Sequence, residues 1–564
     1  MREENCDVAI VGSGAAGLTA GLTAATAGLR VEVLEKTPLI GGTTARSEGM
    51  AWVPLSRQAG EAGIVDTKAA ALLYLQSVSD RTYPDKARAY IDNAERMLAF
   101  VEANSPVRYE LVSNSIDYYD TLPGALNGGR ALRPLPANAR SLGIDLERLR
   151  PPLAATMIFG GMTVAPSDLS DYFSMRHSPH AWLRISRRVA AYLLHRARGL
   201  PRDARIAGGN ALVAGLLAGA ERAGASIRTN TRAERLLRTN AQVTGLECHD
   251  GTETIRLQAR YGVILAAGGA SWDTSARSAW FPHDANRSAH ESLTPSDTAT
   301  GDGLDLARAV GAALDETATH AAAWSPVSLV PQRGQTRSPF PHYIDRAKPG
   351  IIAVDDTGRR FTNEADPYQD FTANMIETTV SRPAACFFLV CDSAAIRRYG
   401  LGAVPPSPGN NRRRFIRNGY LMKARTLREL AAAIDVDADN LIEAARRMSD
   451  AAATGADPDF GKGASDYNRS NGDPAWRGPN PCLGPVESGP FYAIRMFPGD
   501  IATFHGLRTD PSARVLDETG NPIQGLYAAG SDAATVAGGS YPAAGLTIGP
   551  AMTFAWLAAR DMIR

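Results

Sequence analysis

Short apolar runs that end in glycines recur along this chain and predict strands of an α/β fold. Residues 6–11 form an almost continuous apolar run of strand length, and a helix pattern of small residues follows it. A second run, residues 31–34, completes a strand, helix, strand unit typical of parallel sheets. Similar runs end in glycines within residues 261–269 and 525–532. We therefore predict one parallel sheet that receives strands from both ends of the chain.

The turn after the first strand carries a dinucleotide-binding fingerprint. It consists of Gly12, Ser13, Gly14, Ala15, Ala16 and Gly17. The glycines of this pattern allow a tight turn, close approach to a pyrophosphate and packing of the helix on the strand. The second strand leads to Glu35, which is placed to bind a ribose. Strand, glycines, helix and acid in this order predict a dinucleotide site.

A second glycine-rich turn follows Glu35 and favours FAD over NAD, because such a turn is suited to pass beside an isoalloxazine ring. The strands that end in glycine later in the chain return toward the same nucleotide. We predict further cofactor contacts from Lys36, Gly41, Gly42, Thr43 and Thr44, from Ala267, Gly268, Gly269 and Asp302, and from Gly530, Ser531 and Asp532. Residues 41–49 contain no histidine, so we expect the FAD to be bound non-covalently.

Composition narrows the protein class. A chain of 564 residues exceeds one hydrophobic core and suggests two domains, while a net charge of +1 argues against bulk nucleic-acid binding. The five cysteines have neither disulfide nor metal-ligand spacing, so we predict no metal site. A charged N-terminus leads directly into the first strand and leaves no room for a signal peptide, and no membrane span is visible. We expect a cytoplasmic protein.

The domain boundaries are predicted from where the cofactor strands leave and return. Residues 1–305 and 500–564 are expected to form a discontinuous Rossmann-like FAD-binding domain. Residues 306–499 are expected to form an inserted α+β domain that carries the substrate chemistry. The predicted fold class is therefore α/β with an α+β insertion.

One segment, residues 172–202, is both basic and amphipathic. It contains seven arginines and no acidic residue, and it places Trp182, Ile185, Val189 and Leu193 at helical spacing. Such a helix suits the anionic inner face of a membrane, where it would collect a lipophilic substrate. It is also compatible with a helix that simply packs on the domain and exposes its arginines. Both interpretations stand at this point.

The last thirty residues hold the strongest candidate chemistry. Tyr541 offers a phenol O–H and Gly545 an unobstructed amide, so two donors can converge on one oxygen as charge develops there. Leu546, Thr547 and Ile548, which we expect to contact the cofactor together with Gly545, then lead into an apolar helix whose dipole favours an anion or an electron-rich ring. The alternative interpretation is a glycine-rich turn before a C-terminal helix.

These motifs together resemble the flavoprotein family of fumarate reductases and 3-ketosteroid dehydrogenases over almost the whole chain. Tyr118, Tyr119, Tyr368 and the Tyr541 to Gly545 segment are similar to the tyrosine trio and glycine amide of the 3-ketosteroid Δ1-dehydrogenases. The resemblance implies that Tyr541 and Gly545 hold a ketone oxygen, that Tyr368 removes the adjacent α-proton, and that Tyr118 assists Tyr368. The double tyrosine leaves Tyr119 as an alternative to Tyr118.

The resemblance further implies FAD-dependent conversion of a hydrophobic ketone into an α,β-unsaturated ketone, with the hydride going to flavin N5 and the electrons to a quinone-like acceptor. A smaller cyclic ketone such as cyclohexanone is an alternative substrate. Reduction of an unsaturated acid, as in fumarate reductases, is less favoured. Those enzymes bind the substrate carboxylates with an arginine and histidines, and this chain has no obvious counterpart to them. Arg359 and Arg360 are expected on a surface hairpin, which leaves His505 as the remaining candidate. A flavin-binding protein without activity is disfavoured by the tyrosines.

Overall fold

Two sheets and the helices packed on them make up most of the fold. The computed structural model describes the chain except residues 80–82, 166–167, 169–170, 172–177, 284–288, 333, 335, 408–411 and 564. The strands are β1 (Arg2–Val11), β2 (Val31–Leu34), β3 (Ala51–Trp52), β4 (Tyr109–Leu111), β5 (Ala131–Pro134), β6 (Ala137–Asn138), β7 (Arg205–Ile206), β8 (Ser226–Arg228), β9 (Arg232–Thr239), β10 (Gln242–His249), β11 (Thr254–Leu265), β12 (Leu314–Asp315), β13 (Ala322–Pro331), β14 (Arg337–Pro341), β15 (Ile351–Asp355), β16 (Phe387–Cys391), β17 (Met422–Ala424), β18 (Phe491–Thr503), β19 (Gly506–Leu507), β20 (Arg514–Leu516) and β21 (Pro522–Ala528).

The first sheet is the predicted α/β sheet. Its strand order is β20-β21-β11-β1-β2-β8, with β10 paired to β11 and β9 paired to β10. β1 runs parallel to both β2 and β11, and β11 runs parallel to β21. The C-terminal ends of its central strands, residues 8–11 of β1 and 263–265 of β11, are apolar and buried because both faces of the sheet are covered there. Since β21 comes from the C-terminal end, the prediction that both ends of the chain build one sheet is confirmed.

Helices of small residues cover this sheet. The helix Ala15–Thr26 is buried over nearly its whole length and packs against the helices Gly209–Arg222 and Ile548–Ile563. Its alanines and glycines allow neighbouring backbones to approach closely. The other helices are Arg57–Glu61, Lys68–Ser77, Pro84–Asn104, Ala139–Leu142, Pro179–Ala197, Thr274–Trp280, Asp302–Arg308, Tyr368–Ser381, Ser393–Arg398, Arg412–Arg417, Leu427–Ile434, Ala438–Thr454 and Asp466–Asn471.

The second sheet is antiparallel and lies largely within the predicted insertion. Its strand order is β14-β13-β18-β16-β15, with β17 also paired to β18. The helix Tyr368–Ser381 packs against β13 and β18, and the helices Leu427–Ile434 and Ala438–Thr454 share a separate core with β15 and β16. This sheet fits the predicted α+β insertion. The boundaries at residues 305 and 500 remain a prediction.

The basic amphipathic segment contains the helix Pro179–Ala197, whereas residues 172–177 lie outside the described part of the chain. Two of its arginines are ion-paired, Arg184 with Asp171 at 2.5 Å and Arg188 with Asp203 at 2.8 Å. Trp182 is 55% exposed on the same helix. The ion pairs with Asp171 and Asp203 therefore attach one part of the helix to the rest of the fold. Apolar side chains such as Trp182 remain exposed to solvent. No helix among the described residues combines the length and the apolarity needed to cross a bilayer.

Candidate active site

A cavity of about 730 Å³ brings the predicted nucleotide residues and the predicted catalytic residues together. Most of the residues singled out in the sequence line it. They are Gly12, Ser13, Gly14, Ala15, Ala16, Glu35, Lys36, Gly42, Thr43, Thr44, Ala267, Gly268, Asp302, Gly530, Ser531, Thr547 and Ile548, together with Tyr118, Tyr368, Tyr541 and Gly545. Segments far apart in sequence therefore converge on one space.

Six predicted site residues do not line this cavity, namely Gly17, Gly41, Gly269, Asp532, Leu546 and Tyr119. The carboxylate of Asp532 instead accepts hydrogen bonds from the backbone N–H groups of Ala267 at 2.5 Å and Gly269 at 2.9 Å. Burial raises the pKa of Asp532 to about 6. Asp532 thus fixes the loop that borders the cavity, and its contact with the cofactor stays a prediction.

The glycine-rich turn has the geometry that a dinucleotide requires. Gly12 has φ +105°, and a Cβ there would come within 2.1 Å of the Ala266 carbonyl oxygen, so only glycine fits. Gly14 gives no side-chain cap to the helix Ala15–Thr26, and a Cβ on it would meet only Thr44 Oγ1, at 3.6 Å. The Ala15 N–H donates to Thr44 Oγ1 at 3.0 Å, and the absence of a side chain at Gly14 leaves the backbone of this turn accessible from the cavity, as anion sites at helix N-termini require.

The charged side chains along the same part of the cavity also fit a dinucleotide. Glu35 lines the cavity, and its carboxylate is held in place by hydrogen bonds from the hydroxyl and backbone N–H groups of both Ser13 and Thr37. Lys36 is paired with Asp302 at 2.5 Å. Arg46 also lines the cavity, and no carboxylate among the described residues pairs with it. Burial lowers the pKa of Arg46 to about 10, so an anionic ligand would relieve an uncompensated charge.

Tyrosines from five segments form the other functional part of the cavity. The ring centroid of Tyr368 lies 5.6 Å from that of Tyr118, 5.4 Å from that of Tyr541 and 4.8 Å from that of Tyr343. Tyr467 packs on Tyr118 with ring centroids 4.8 Å apart. Tyr343 and Tyr467 were missed from the sequence because neither stands in a motif, and only the folded arrangement groups them with the other three.

Backbone contacts set which of the two adjacent tyrosines faces the cavity. The Tyr118 N–H donates to the Pro542 carbonyl at 2.8 Å, and the Tyr74 hydroxyl donates to the same oxygen at 2.7 Å. Tyr119 instead donates its hydroxyl to Asp370 Oδ1 at 2.8 Å. Tyr118 therefore lies beside Tyr368 and Tyr541, and the alternative placement of Tyr119 does not match this geometry.

Gly545 is held so that its amide remains free. Its φ is +92°, and a Cβ would come within 2.6 Å of the Ala51 backbone. The Gly545 carbonyl accepts hydrogen bonds from the N–H groups of Trp52 at 3.2 Å and Gly549 at 2.9 Å. Within the described part of the chain, the Gly545 N–H donates to no protein group. Tyr541 on the same segment lines the same cavity, which places a phenol and an unused amide at one site.

The tyrosines are surrounded by protein, and this controls their protonation. Burial raises the pKa of Tyr368 well above its ordinary value, and the neighbouring phenols of Tyr118 and Tyr541 raise it further. Burial likewise raises the pKa of Tyr118. Both phenols are therefore largely protonated at neutral pH in the free protein, and only the ionised form of Tyr368 can accept a proton.

The two candidates for a fumarate-reductase-like carboxylate clamp, Arg360 and His505, do not line the cavity. Arg360, expected on a surface hairpin, has a side chain only 4% exposed and pairs with Glu364 and Asp457 at 2.8 Å each. That expectation was wrong because two buried acids hold the guanidinium inside the fold. His505 is buried and lies outside the cavity lining. The described residues also contain no group of three or more His, Cys, Asp or Glu that could hold a metal ion.

Comparisons with known proteins agree with this architecture. The family model described as an FAD binding domain matches residues 7–548. The chain is 37% identical to the 4-oxocyclohex-2-ene-1-carboxylate 5-dehydrogenase of Sinomonas cyclohexanicum, over 99% of this chain and 94% of that one. It is 36% identical to the 3-oxosteroid 1-dehydrogenase of Mycobacterium tuberculosis, over 99% and 98%.

A solved structure shares the whole fold. The 3-ketosteroid Δ1-dehydrogenase from Sterolibacterium denitrificans, solved in complex with 1,4-androstadiene-3,17-dione, superimposes with a TM-score of 0.90 at 34% identity and covers 99% of each chain. The match to the FAD binding domain family model, over residues 7–548, includes both glycine-rich turns and the tyrosine segments. The chain therefore belongs to the FAD binding domain family of flavoproteins, and its cofactor is FAD.

Proposed function

We propose that this protein is an FAD-dependent oxidoreductase that introduces a carbon–carbon double bond next to a ketone, with 3-ketosteroids as the leading substrate class. A smaller cyclic ketone is the alternative substrate. The observation that carries the proposal is the convergence of Tyr541, the free Gly545 amide and Tyr368 on the cavity that also contains the dinucleotide turn. Relatives named as dehydrogenases of steroid and cyclohexane ketones support the same reaction class.

The chemistry begins with the carbonyl oxygen. The Tyr541 hydroxyl and the Gly545 N–H donate to it, and both bonds strengthen as the α-proton leaves and enolate charge develops. Tyr368 accepts that α-proton, and the Tyr118 phenol beside it stabilises the ionised form of Tyr368 by donating a hydrogen bond. The FAD supplies the hydride acceptor for the β-carbon. The surrounding tyrosine rings exclude water from the enolate.

The rate of ketone oxidation should rise with pH. Because burial places the pKa of Tyr368 above its ordinary value, only a small fraction is ionised at neutral pH. That fraction grows about tenfold per pH unit below the pKa, so the anaerobic rate of flavin reduction should increase from pH 6 to pH 9. Stopped-flow absorbance at each pH measures it. A flat profile over this range would argue against Tyr368 as the base.

The cofactor should leave when the protein unfolds. The turn at residues 41–49 contains no histidine to form a covalent link to the flavin. Denaturing the yellow holoprotein and filtering it should therefore transfer the flavin absorbance to the small-molecule fraction. Colour that stays with the denatured chain would contradict non-covalent binding.

A substrate panel tests the reaction class. The holoprotein is mixed anaerobically with 3-ketosteroids, cyclohexanone and dicarboxylates, and loss of the oxidised flavin absorbance is followed. We expect ketones to bleach the flavin and succinate to leave it yellow. Bleaching by succinate without any response to ketones would instead favour the fumarate-reductase-like alternative. The physiological electron acceptor is proposed to be a quinone, for which an artificial dye can substitute in assays.

We further propose that the segment around the helix Pro179–Ala197 touches the inner face of a membrane. Its exposed apolar side chains adjoin a second exposed apolar residue, because the Tyr192 hydroxyl donates to the carbonyl of Phe159 at 2.9 Å and the Phe159 side chain is 69% exposed. Thr156 and Met157, just before Phe159, line the cavity. A lipophilic ketone could thus pass from the bilayer into the cavity.

Sedimentation with vesicles tests this contact. We expect the protein to sediment with vesicles containing anionic lipid and to be released by salt, since arginines supply part of the attraction. The double variant Trp182→Ala with Phe159→Ala should reduce binding while the bound flavin keeps its absorbance. An absence of salt-sensitive binding by the unmodified protein would refute the membrane proposal and leave the ketone chemistry untouched.

A further inference from the structure

The loop that carries Tyr118 is closed at its base by Asp117. This residue directly precedes Tyr118, and its side chain is only 3% exposed. The Asp117 N–H donates to the Leu126 carbonyl at 3.1 Å, and Asp117 Oδ2 accepts a hydrogen bond from the Leu126 N–H at 3.0 Å. These two bonds join the ends of the segment 117–126. The position of Tyr118 therefore depends on how Asp117 is held.

Two further donors, from other segments, hold the carboxylate of Asp117. Arg130 Nη1 donates to Oδ2 at 2.8 Å, and the indole Nε1 of Trp52 donates to Oδ1 at 2.9 Å. Trp52 and Arg130 are buried, and the guanidinium carbon of Arg130 lies 5.4 Å from the ring centroid of Trp52. We call Asp117, Trp52 and Arg130 the Asp117 cluster. None of the three lines the cavity, so the cluster acts on the site only through its neighbours.

Trp52 extends the Asp117 cluster to the second oxyanion donor. The Trp52 N–H donates to the Gly545 carbonyl at 3.2 Å, and the Trp52 carbonyl accepts a hydrogen bond from the Tyr90 hydroxyl. Gly545 also lies against the backbone of Ala51, the residue before Trp52. Because these contacts fix the carbonyl and the backbone of Gly545, they also restrict the direction of its N–H. The indole of Trp52 thus connects Asp117 with the free amide.

A separate hydrogen bond joins the same two segments, since the Tyr118 N–H donates to the Pro542 carbonyl at 2.8 Å. The Tyr118 loop is therefore connected to residues 541–545 at two points, directly by this bond and indirectly through Asp117 and Trp52. A single connection would leave one segment free to rotate about it. Two connections fix both the separation and the orientation of the segments.

We propose that Asp117 is a positioning residue that aligns the Gly545 amide with Tyr118 through the indole of Trp52. This inference rests on the proposed ketone oxidation and deepens it. The oxyanion donor and the tyrosine that assists Tyr368 must act on one substrate at the same time, so their relative placement controls the rate. A displacement of about 1 Å caused away from the reacting atoms can lower a rate by about a hundredfold.

Asp117→Asn tests the connection to Trp52 while it preserves the shape of the side chain. An amide has one acceptor oxygen, which the two donors Arg130 and Leu126 attract, so its NH₂ group then faces the indole N–H of Trp52. We expect anaerobic flavin reduction at saturating ketone to slow by about tenfold to a hundredfold. The ketone concentration for half-maximal rate should change by less than about threefold, because substrate contacts stay in place.

Asp66→Asn is the matched control, because Asp66 is the other buried acid that binds Arg130. Its side chain is also 3% exposed, and it accepts from Arg130 Nη2 at 2.6 Å and Nε at 2.9 Å. Its remaining hydrogen bond among the described residues comes from the Thr67 N–H, so it does not bind Trp52. Both variants should melt at lower temperature, but Asp66→Asn should reduce the flavin within about threefold of the normal rate.

Trp52→Phe removes the same bond from its other side and keeps an aromatic ring in the core. We expect a rate loss similar to that of Asp117→Asn. The double variant should lose no more than about twofold beyond Asp117→Asn alone, because both substitutions remove one interaction. Should Asp117→Asn not retain FAD, Trp52→Phe decides the question, and a normal rate in it refutes the inference.

Equal rate losses in Asp117→Asn and Asp66→Asn would show a merely structural role and overturn the inference. An unchanged rate in Asp117→Asn would also overturn it. In both cases the unmodified holoprotein still bleaches with ketones. Failure of the proposed function has a different signature, since the unmodified holoprotein would then bleach with no ketone of the panel.

Discussion

Replacing Tyr368 by phenylalanine is expected to slow reduction of the bound flavin by a ketone by about two to four orders of magnitude, the range typical for loss of a general base. The ring remains in place against Tyr118, Tyr343 and Tyr541, so the cluster should keep its packing. Only the proton acceptor is lost. Anaerobic stopped-flow measurement of flavin bleaching, with FAD content determined in parallel, separates this effect from loss of cofactor.

Tyr119→Phe is the matched control for that substitution. It removes a neighbouring phenol hydroxyl that binds Asp370 and does not line the cavity. We expect this variant to lose some stability, on the order of 1–3 kcal/mol, because a buried carboxyl loses its partner. Its rate of flavin reduction should stay within about threefold of the unmodified protein, as expected of a residue outside the site. A larger kinetic loss in Tyr119→Phe than in Tyr368→Phe would reverse the assignment.

Tyr541→Phe is expected to lower the same rate by about two to three orders of magnitude, equivalent to about 2.7–4 kcal/mol of transition-state stabilisation. The hydroxyl is one of the two donors to the developing oxyanion, and Gly545 supplies the other. Because the bond strengthens mainly in the transition state, the loss should fall on kcat more than on KM. Single-turnover rates across ketone concentrations resolve the two parameters.

Tyr527→Phe provides the corresponding control. The Tyr527 hydroxyl donates to Asp561 at 3.0 Å in the nucleotide-binding part of the fold and does not line the cavity. This variant should retain near-normal turnover and bound FAD. If Tyr541→Phe also turned over ketones at an unchanged rate, the oxyanion assignment of Tyr541 would be untenable, whatever the role of Tyr368.

The nucleotide part of the fold was predictable because its signals are local. The turn around Gly12 is dictated by steric contact with Ala266, and Glu35 directly follows the end of β2. The return of β21 to the sheet was likewise predicted, from the apolar run that ends in glycine within residues 525–532. In such segments the backbone conformation itself restricts the residue type, so the sequence carries the geometry.

Features that depend on contacts between distant segments could not be predicted. Tyr343 and Tyr467 join the cluster only because the second sheet brings their segments beside Tyr118 and Tyr368. The choice between Tyr118 and Tyr119 depends on a hydrogen bond to Pro542, more than four hundred residues away. Arg360 was misplaced on a surface because the buried Asp457 that holds it gives no sequence signal.

The central claim is that the tyrosine site removes an α-proton and a β-hydride from one ketone. The most direct measurement is a single anaerobic turnover of the holoprotein with the preferred ketone of the panel, followed by mass spectrometry of the product. We predict one molecule of α,β-unsaturated ketone, lighter by two hydrogens, for each flavin bleached. Bleaching that yields no unsaturated ketone, or a complete absence of bleaching by ketones, would contradict the account.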